Sequence, residues 1–197
     1  MQETIREAKQ RLRRQVLEEL EFISAVERNK ASTQACALLQ QQARWRAAQS
    51  ILFFAPMPGE LDIWPLLTEA LADGKKATLP RFVRATRSYE VCEIAALEKD
   101  LEVGHFGIRE PNHTCRGTSS GAVDLILVPG VAFDRRGHRL GRGKGYYDDL
   151  LVRWHGTTCG VGFDQQVVEE IPVEPHDVRL NCLLTPKRWF DLETSED

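Results

Sequence analysis

The sequence has no long hydrophobic run. A membrane-spanning helix needs roughly 18 uninterrupted apolar residues, and no stretch approaches that. The N-terminus, MQETIREAKQRLRRQ, lacks the apolar core of a signal peptide. Cysteine is sparse: the five residues Cys36, Cys92, Cys115, Cys159 and Cys182 are scattered, with no CxxC pair and no metal-ligand spacing. That argues against a disulfide framework or a zinc site and predicts reduced thiols in a cytoplasmic protein. There is no excess of positive charge either. A net charge of −3 gives no general pull toward nucleic acid or an anionic membrane, so any cation-dependent function must come from local clustering.

No internal repeat, low-complexity segment or linker interrupts the 197 residues. The length suits one domain spanning 1–197 with a helical N-terminal segment, about 3–48, packed on the remainder. Apolar Ile5, Ala8, Leu12, Val16, Leu20 and Ile23 recur every three or four residues and predict an amphipathic helix. Ser24 with Glu27 fits a capping box opening a second helix that runs to about Gln42. SILFFAP reads as a buried strand stopped by Pro56, Pro58 and Gly59. Asp62 is placed to cap a helix containing Leu66, Leu67, Ala70 and Leu71, closed by Gly74. KKATLPRF and SYEVCEIA read as strands, and GHFGIREPNHTCRGTSSG as a long polar loop. VDLILVP is a continuous apolar run, as expected of a strand covered on both faces. YYDDLLVRW then predicts a helix and TTCGVGF another strand. Alternating helices and buried strands predict a three-layer α/β/α domain with a central, mostly parallel, Rossmann-like sheet. Ligands of such sheets lie beyond the carboxyl ends of the strands.

At that position stands RLGRGKGYYDD, Arg139 to Asp149. Gly141, Gly143 and Gly145 let the backbone approach a ligand, and converging amides ahead of a helix make an anion-binding concavity. Arg135, Arg136, Arg139, Arg142 and Lys144 crowd the same segment, a repulsion that an oligophosphate would relieve. A solvated basic turn is the plain alternative. The loop is neither a P-loop nor a dinucleotide fingerprint: His138 stands where the first P-loop glycine should be, and Gly145 replaces the Ser/Thr. Asp148 and Asp149 read either as Mg²⁺ ligands beside a polyphosphate or as an acidic first turn on the helix dipole. Asp177, in the Pro-punctuated IPVEPHDVRL, reads on local evidence as a solvated turn aspartate. The histidines His105, His113, His138, His155 and His176 show no ligand spacing and read mostly as solvated loop residues, with His176 a neighbour able to orient Asp177. Trp45, Trp64, Trp154 and Trp189 read as packing residues.

VPGVAFDRRGHRLGRGKGYYDDLL resembles the signature of the 5-formyltetrahydrofolate cyclo-ligases, or 5,10-methenyltetrahydrofolate synthetases. AKQRLR, FFAPMPGELD, LPRF, HFGIREP and EIPVEPHDVRLNCLLTP resemble further segments of that family in the expected order, so the resemblance spans nearly the whole chain. It implies a fold similar to the NagB/RpiA/CoA-transferase type and the ATP- and Mg²⁺-dependent closure of 5-formyltetrahydrofolate to 5,10-methenyltetrahydrofolate. By this resemblance Lys9, Arg13, Arg139, Leu140, Gly141, Arg142, Gly143, Lys144, Gly145, Tyr146 and Tyr147 bind ATP. Ala55, Met57, Glu60 and Phe106 line the folate site, with Arg142 to Tyr146 facing the formyl group. Arg142 and Lys144 serve catalysis, and Asp148 and Asp177 are associated with the metal. Without the resemblance, Glu60 is a surface glutamate after a Pro-Gly turn. Asn181 departs from the family, which often has aspartate there. The implied partners are ATP and a folate, polyglutamylated or not, with no nucleic acid or membrane and at most a weak homodimer. Two rivals stand beside this reading: a nucleic-acid-binding module and an ATP-independent sugar-phosphate or acyl-transfer enzyme.

Overall fold

Two capping boxes open the chain. Thr4 and Ser24 accept the Glu7 and Glu27 amides, and both glutamates reach back to their caps, starting α1 (Ile5–Glu21) and α2 (Ala25–Gln40). Each such cap contributes about 1 kcal/mol. The computed structural model describes residues 3–104, 107–175 and 177–192. After α3 (Ala43–Ala47) the chain enters β1 (Ser50–Leu52), α4 (Trp64–Ala72), β2 (Lys76–Val83) and β3 (Ser88–Ile94). A short α5 (Leu97–Asp100) leads into β4 (Leu101–Val103), β5 (Arg109–Pro111), β6 (Gly117–Thr118) and the long β7 (Gly121–Pro129). The hairpin of β8 (Ala132–Phe133) and β9 (Arg139–Leu140) precedes α6 (Tyr146–Arg153) and β10 (Trp154–Val161). Finally β11 (Cys182–Leu184) and β12 (Trp189–Asp191) close the order.

Eight strands form one sheet in the order β12-β11-β10-β7-β1-β2-β3-β6. It is parallel from β11 across to β2 and antiparallel at both margins. Along β7 the side chains alternate between two cores. Leu125 and Leu127 pack with residues of α1 to α4, whereas Ile126 and Val128 pack with Leu150 and Leu151 of α6. All four are fully buried, which explains a strand with no polar alternation. The three-layer α/β/α expectation therefore holds. All five cysteines are free, and no described helix is long and apolar enough to cross a membrane.

Several local expectations are corrected. The polar segment after β4 is not one loop: Arg109–Pro111 pairs with Leu101–Val103, and Gly117–Thr118 adds to β3 as an edge. Period alone could not find strands of two or three residues. Asp62 sits one position before the cap of α4, Ile63, and its Oδ1 accepts the Trp64 amide at 3.0 Å. Trp154 begins β10 rather than ending α6, because the β7 ladder claims it. His138 is buried, not solvated.

The burial of His138 has a cause. Asp134, fully buried, accepts the amides of Arg136 and His138 on Oδ1, each at 2.9 Å. Its Oδ2 takes the Ile171 amide at 3.1 Å and pairs with His138 Nδ1 at 2.9 Å. One carboxylate thus joins the β8–β9 turn to the segment that leads to Asp177.

Candidate active site

The glycine loop leaves β9 and enters α6, beyond the carboxyl end of β7. Gly143 and Gly145 have φ of +87° and +72°, a region closed to most side chains, and this turns the chain sharply into the helix. Gly145 is also the N-cap, so no side chain covers the first turn of α6. The first four amides of a helix have no internal partner, which makes this end suited to an anion.

A cavity of about 240 Å³ opens against the loop. Its lining includes Ala55, Met57 and Glu60 from the segment after β1, and Arg139, Gly141, Arg142, Lys144, Gly145, Tyr146, Tyr147 and Asp148 around the loop. Glu60 is not a surface residue: its side chain is only 13% exposed, Oε2 accepts the Met57 amide at 3.0 Å, and Oε1 accepts from Arg142 Nη2 at 3.1 Å. Phe82, Tyr89, Tyr146 and Tyr147 build an aromatic wall with ring centroids 5.1–5.9 Å apart. Burial pushes the hydroxyls of Tyr89 and Tyr147 above their ordinary pKa, so both stay protonated donors. Lys144 is exposed at the cavity mouth.

Not every residue of the loop faces this space. Leu140 is buried in the core, and Gly143 lies outside the lining. Arg139 is buried as part of the wall. Its guanidinium donates to Asp148 Oδ1 and lies 5.9 Å from the centre of the Tyr147 ring. Phe106, along with His105 and His176, lies outside the described residues.

A second group adjoins the loop from α1. Arg13 Nε donates to the Gly141 carbonyl at 2.7 Å, and the guanidinium lies beside Gly143. Lys9, one turn away, is buried and paired with Asp177 Oδ2 at 2.7 Å and Glu174 Oε2 at 2.8 Å. Asp177 is therefore not a solvated turn residue; its Oδ2 also accepts the Glu174 amide. Burial alone would lower the Lys9 pKa, but the hydrogen bonds and charges of Asp177 and Glu174 outweigh it and hold the ammonium above 10.5. A group raised on folding stabilises fully below its unfolded value and loses that contribution as pH rises through the folded one. Lys9→Met is expected to lose about 2 kcal/mol of stability at neutral pH. Thermal unfolding from pH 7 to 11.5 checks this: the gap from wild type should stay constant to about pH 10 and shrink above 10.5. A gap independent of pH throughout would contradict the assignment.

Among the described residues no three His, Cys, Asp or Glu side chains cluster as a metal site. Asp148 is engaged by Arg139, and Asp177 by Lys9. This donor set makes no all-protein cage. It suits Mg²⁺ arriving on a phosphate chain, which takes one or two carboxylates and keeps several waters. Asn181 is remote in role: Oδ1 accepts from the Thr158 amide and hydroxyl at 2.8 and 2.9 Å, tying β11 to β10. The acidic first turn of α6 is also present, since Asp149 pairs with Arg153 one turn on.

Sequence reasoning missed several cavity residues: Pro80, Tyr89, Ile108, Glu110, Pro129 and Gly130. Glu110 carried a signal in the REP triplet, but nothing local marks it as facing a cavity. Glu174 was visible only as a neighbour of Asp177.

Comparisons with known proteins bear on the family and the fold. A model of the 5-formyltetrahydrofolate cyclo-ligase family matches residues 5–186. A 5-formyltetrahydrofolate cyclo-ligase of Mus musculus is 29% identical, covering 92% of this chain and 95% of that protein. The Escherichia coli K12 protein of the same description is 33% identical over 73% of this chain and 81% of its own length. The solution structure of Aquifex aeolicus 5,10-methenyltetrahydrofolate synthetase superposes with a TM-score of 0.85 at 34% identity, covering 96% and 95% of the two chains.

Proposed function

This chain belongs to the 5-formyltetrahydrofolate cyclo-ligase family, and from that premise we propose that it closes 5-formyltetrahydrofolate to 5,10-methenyltetrahydrofolate at the expense of ATP. The observation that carries the reading is one cavity holding an acceptor, Glu60, beside the cations of a glycine loop. The whole chain, 1–197, acts as a single cytoplasmic domain, monomeric or weakly dimeric.

The N5-formyl group is an amide, and its oxygen is a poor leaving group. That oxygen attacks the γ-phosphorus of ATP, the bond to the bridging oxygen breaks, and ADP departs. The resulting iminium phosphate carries an electrophilic carbon. N10 of the same molecule attacks it and loses its proton, and inorganic phosphate leaves. No protein nucleophile is required; phosphoryl transfer needs in-line positioning and charge neutralisation. Lys144 and Arg142 supply positive charge at the phosphate and the formyl oxygen, and the loop amides supply donors. Arg13 fixes the outer side of the same loop, Lys9 anchors the adjoining segment through Glu174 and Asp177, and both cations are assigned to the ATP phosphates. Asp148 and Asp177 would hold Mg²⁺ arriving with the nucleotide phosphates, and the ion would supply further charge neutralisation there. Ala55, Met57 and the aromatic wall give the heterocycle its apolar surface, with Phe106 assigned to the same surface by resemblance. Glu60 accepts a pair of hydrogen bonds from its amino and ring N–H edge.

The direct test is the absorbance of the methenyl product when protein meets 5-formyltetrahydrofolate, with ATP and Mg²⁺ added or withheld. Product that forms only with all components supports the reading, and product formed without nucleotide refutes it. Glu60→Gln is expected to raise KM for the folate by about tenfold or more, the loss of a charged acceptor, with KM for ATP unchanged. Steady-state kinetics varying each substrate separately decide this.

A further inference from the structure

We propose that Glu110 is a second carboxylate reading the folate heterocycle, and that it selects rings carrying an N–H at N8 over the fully oxidised ring, which has a lone pair there. The inference rests on the cavity being the folate site. Glu110 comes from β5, an element unrelated to the turn that carries Glu60, yet both line the same cavity. Its side chain is enclosed. The residue is 4% exposed, and Oε2 lies 3.4 Å from the Phe82 amide. Gly104 makes room for it: a Cβ there would stand 2.4 Å from the carboxylate carbon and from Oε2. Tyr89 and Tyr147 line the same cavity as Glu110 and Glu60.

A donor inventory assigns their roles. The reduced heterocycle offers an amino group, the neighbouring N3–H, and N8–H on the next edge. Glu60 takes one amino hydrogen with N3–H as a bidentate pair. The donors left for a second buried carboxylate are N8–H and the other amino hydrogen. In the fully oxidised ring N8 is an acceptor, and a carboxylate facing it leaves both groups without a donor, in a site where unmade hydrogen bonds are costly. Glutamine at position 110 keeps an oxygen for the Phe82 amide and offers an NH₂ to that lone pair.

The experiment is calorimetric binding of 5-formyltetrahydrofolate and of fully oxidised folic acid to wild type and to Glu110→Gln. The expected result is a preference for the reduced ligand that falls about tenfold or more in the variant, with KM for ATP unchanged. Equal losses for both ligands, as a merely structural role would give, overturn the inference, and so does an unchanged preference. If Glu110→Gln does not fold, Glu110→Asp keeps the charge but withdraws it. That variant should weaken the reduced ligand without improving the oxidised one, and unchanged affinity for the reduced ligand overturns the inference. Wild type that binds neither ligand overturns the folate reading itself, and this inference with it.

Discussion

Lys144→Ala is expected to lower kcat by about 10²–10³-fold, the usual consequence of removing one preorganised charge from a phosphoryl-transfer site. The side chain is exposed at the cavity mouth, between two glycines with left-handed φ, and packs in neither hydrophobic core. Its removal should therefore leave the thermal midpoint within about 2 °C of wild type, as surface substitutions usually do. Turnover and fold are thereby separated in one variant. Steady-state kinetics with ATP and folate varied independently give the measurement. If turnover and ATP saturation both survive, the role assigned to the loop is wrong.

Asp134→Ala is expected to have the largest effect on stability, about 4 kcal/mol, because three backbone amides and an imidazole lose a fully buried acceptor together. In a domain of this size the midpoint should fall by about 10 °C. Asp134→Asn should recover only part of the loss. The carboxamide oxygen can replace Oδ1 for Arg136 and His138, but its NH₂ would then face the Ile171 amide, donor against donor. His138 can change tautomer to accommodate it; a backbone amide cannot. Circular dichroism melts of the three proteins test the ranking, and an Asn variant as stable as wild type would refute it. Both variants should also weaken ATP saturation, since the carboxylate joins the root of the glycine loop to the segment bearing Glu174 and Asp177.

What was legible in the sequence was local. The Ser24–Glu27 capping box, the apolar run of β7 and the glycine loop each announce themselves within about ten residues, the range over which period and turn chemistry operate. The convergences were not legible from local pattern. Lys9 meets Asp177 across 168 positions, and Arg142 meets Glu60 across 82. Such pairs depend on the crossover order of the sheet, which no local pattern encodes. The resemblance to a family did place Lys9, Asp177 and Glu60 in one site, but it did not say that the first two neutralise each other. Glu110 and Asp134 escaped for another reason. A buried carboxylate and a solvated one look identical in sequence until the elements around them are placed. The strands β5 and β6 are too short to carry a period, so a segment that contributes Glu110 to the cavity wall read as a loop.

The ion pair between Arg142 and Glu60 has a consequence for affinity. A heterocycle that takes Glu60 Oε1 as its acceptor competes with a cation already paired to it, so its measured dissociation constant includes the work of opening that clasp. The displaced guanidinium does not diffuse away. It stays tethered between Gly141 and Gly143, in the glycine loop. Under the proposed function, recognition of the folate would release a charge beside the loop assigned to ATP, and the two halves of the reaction would share an interlock made of a single hydrogen bond.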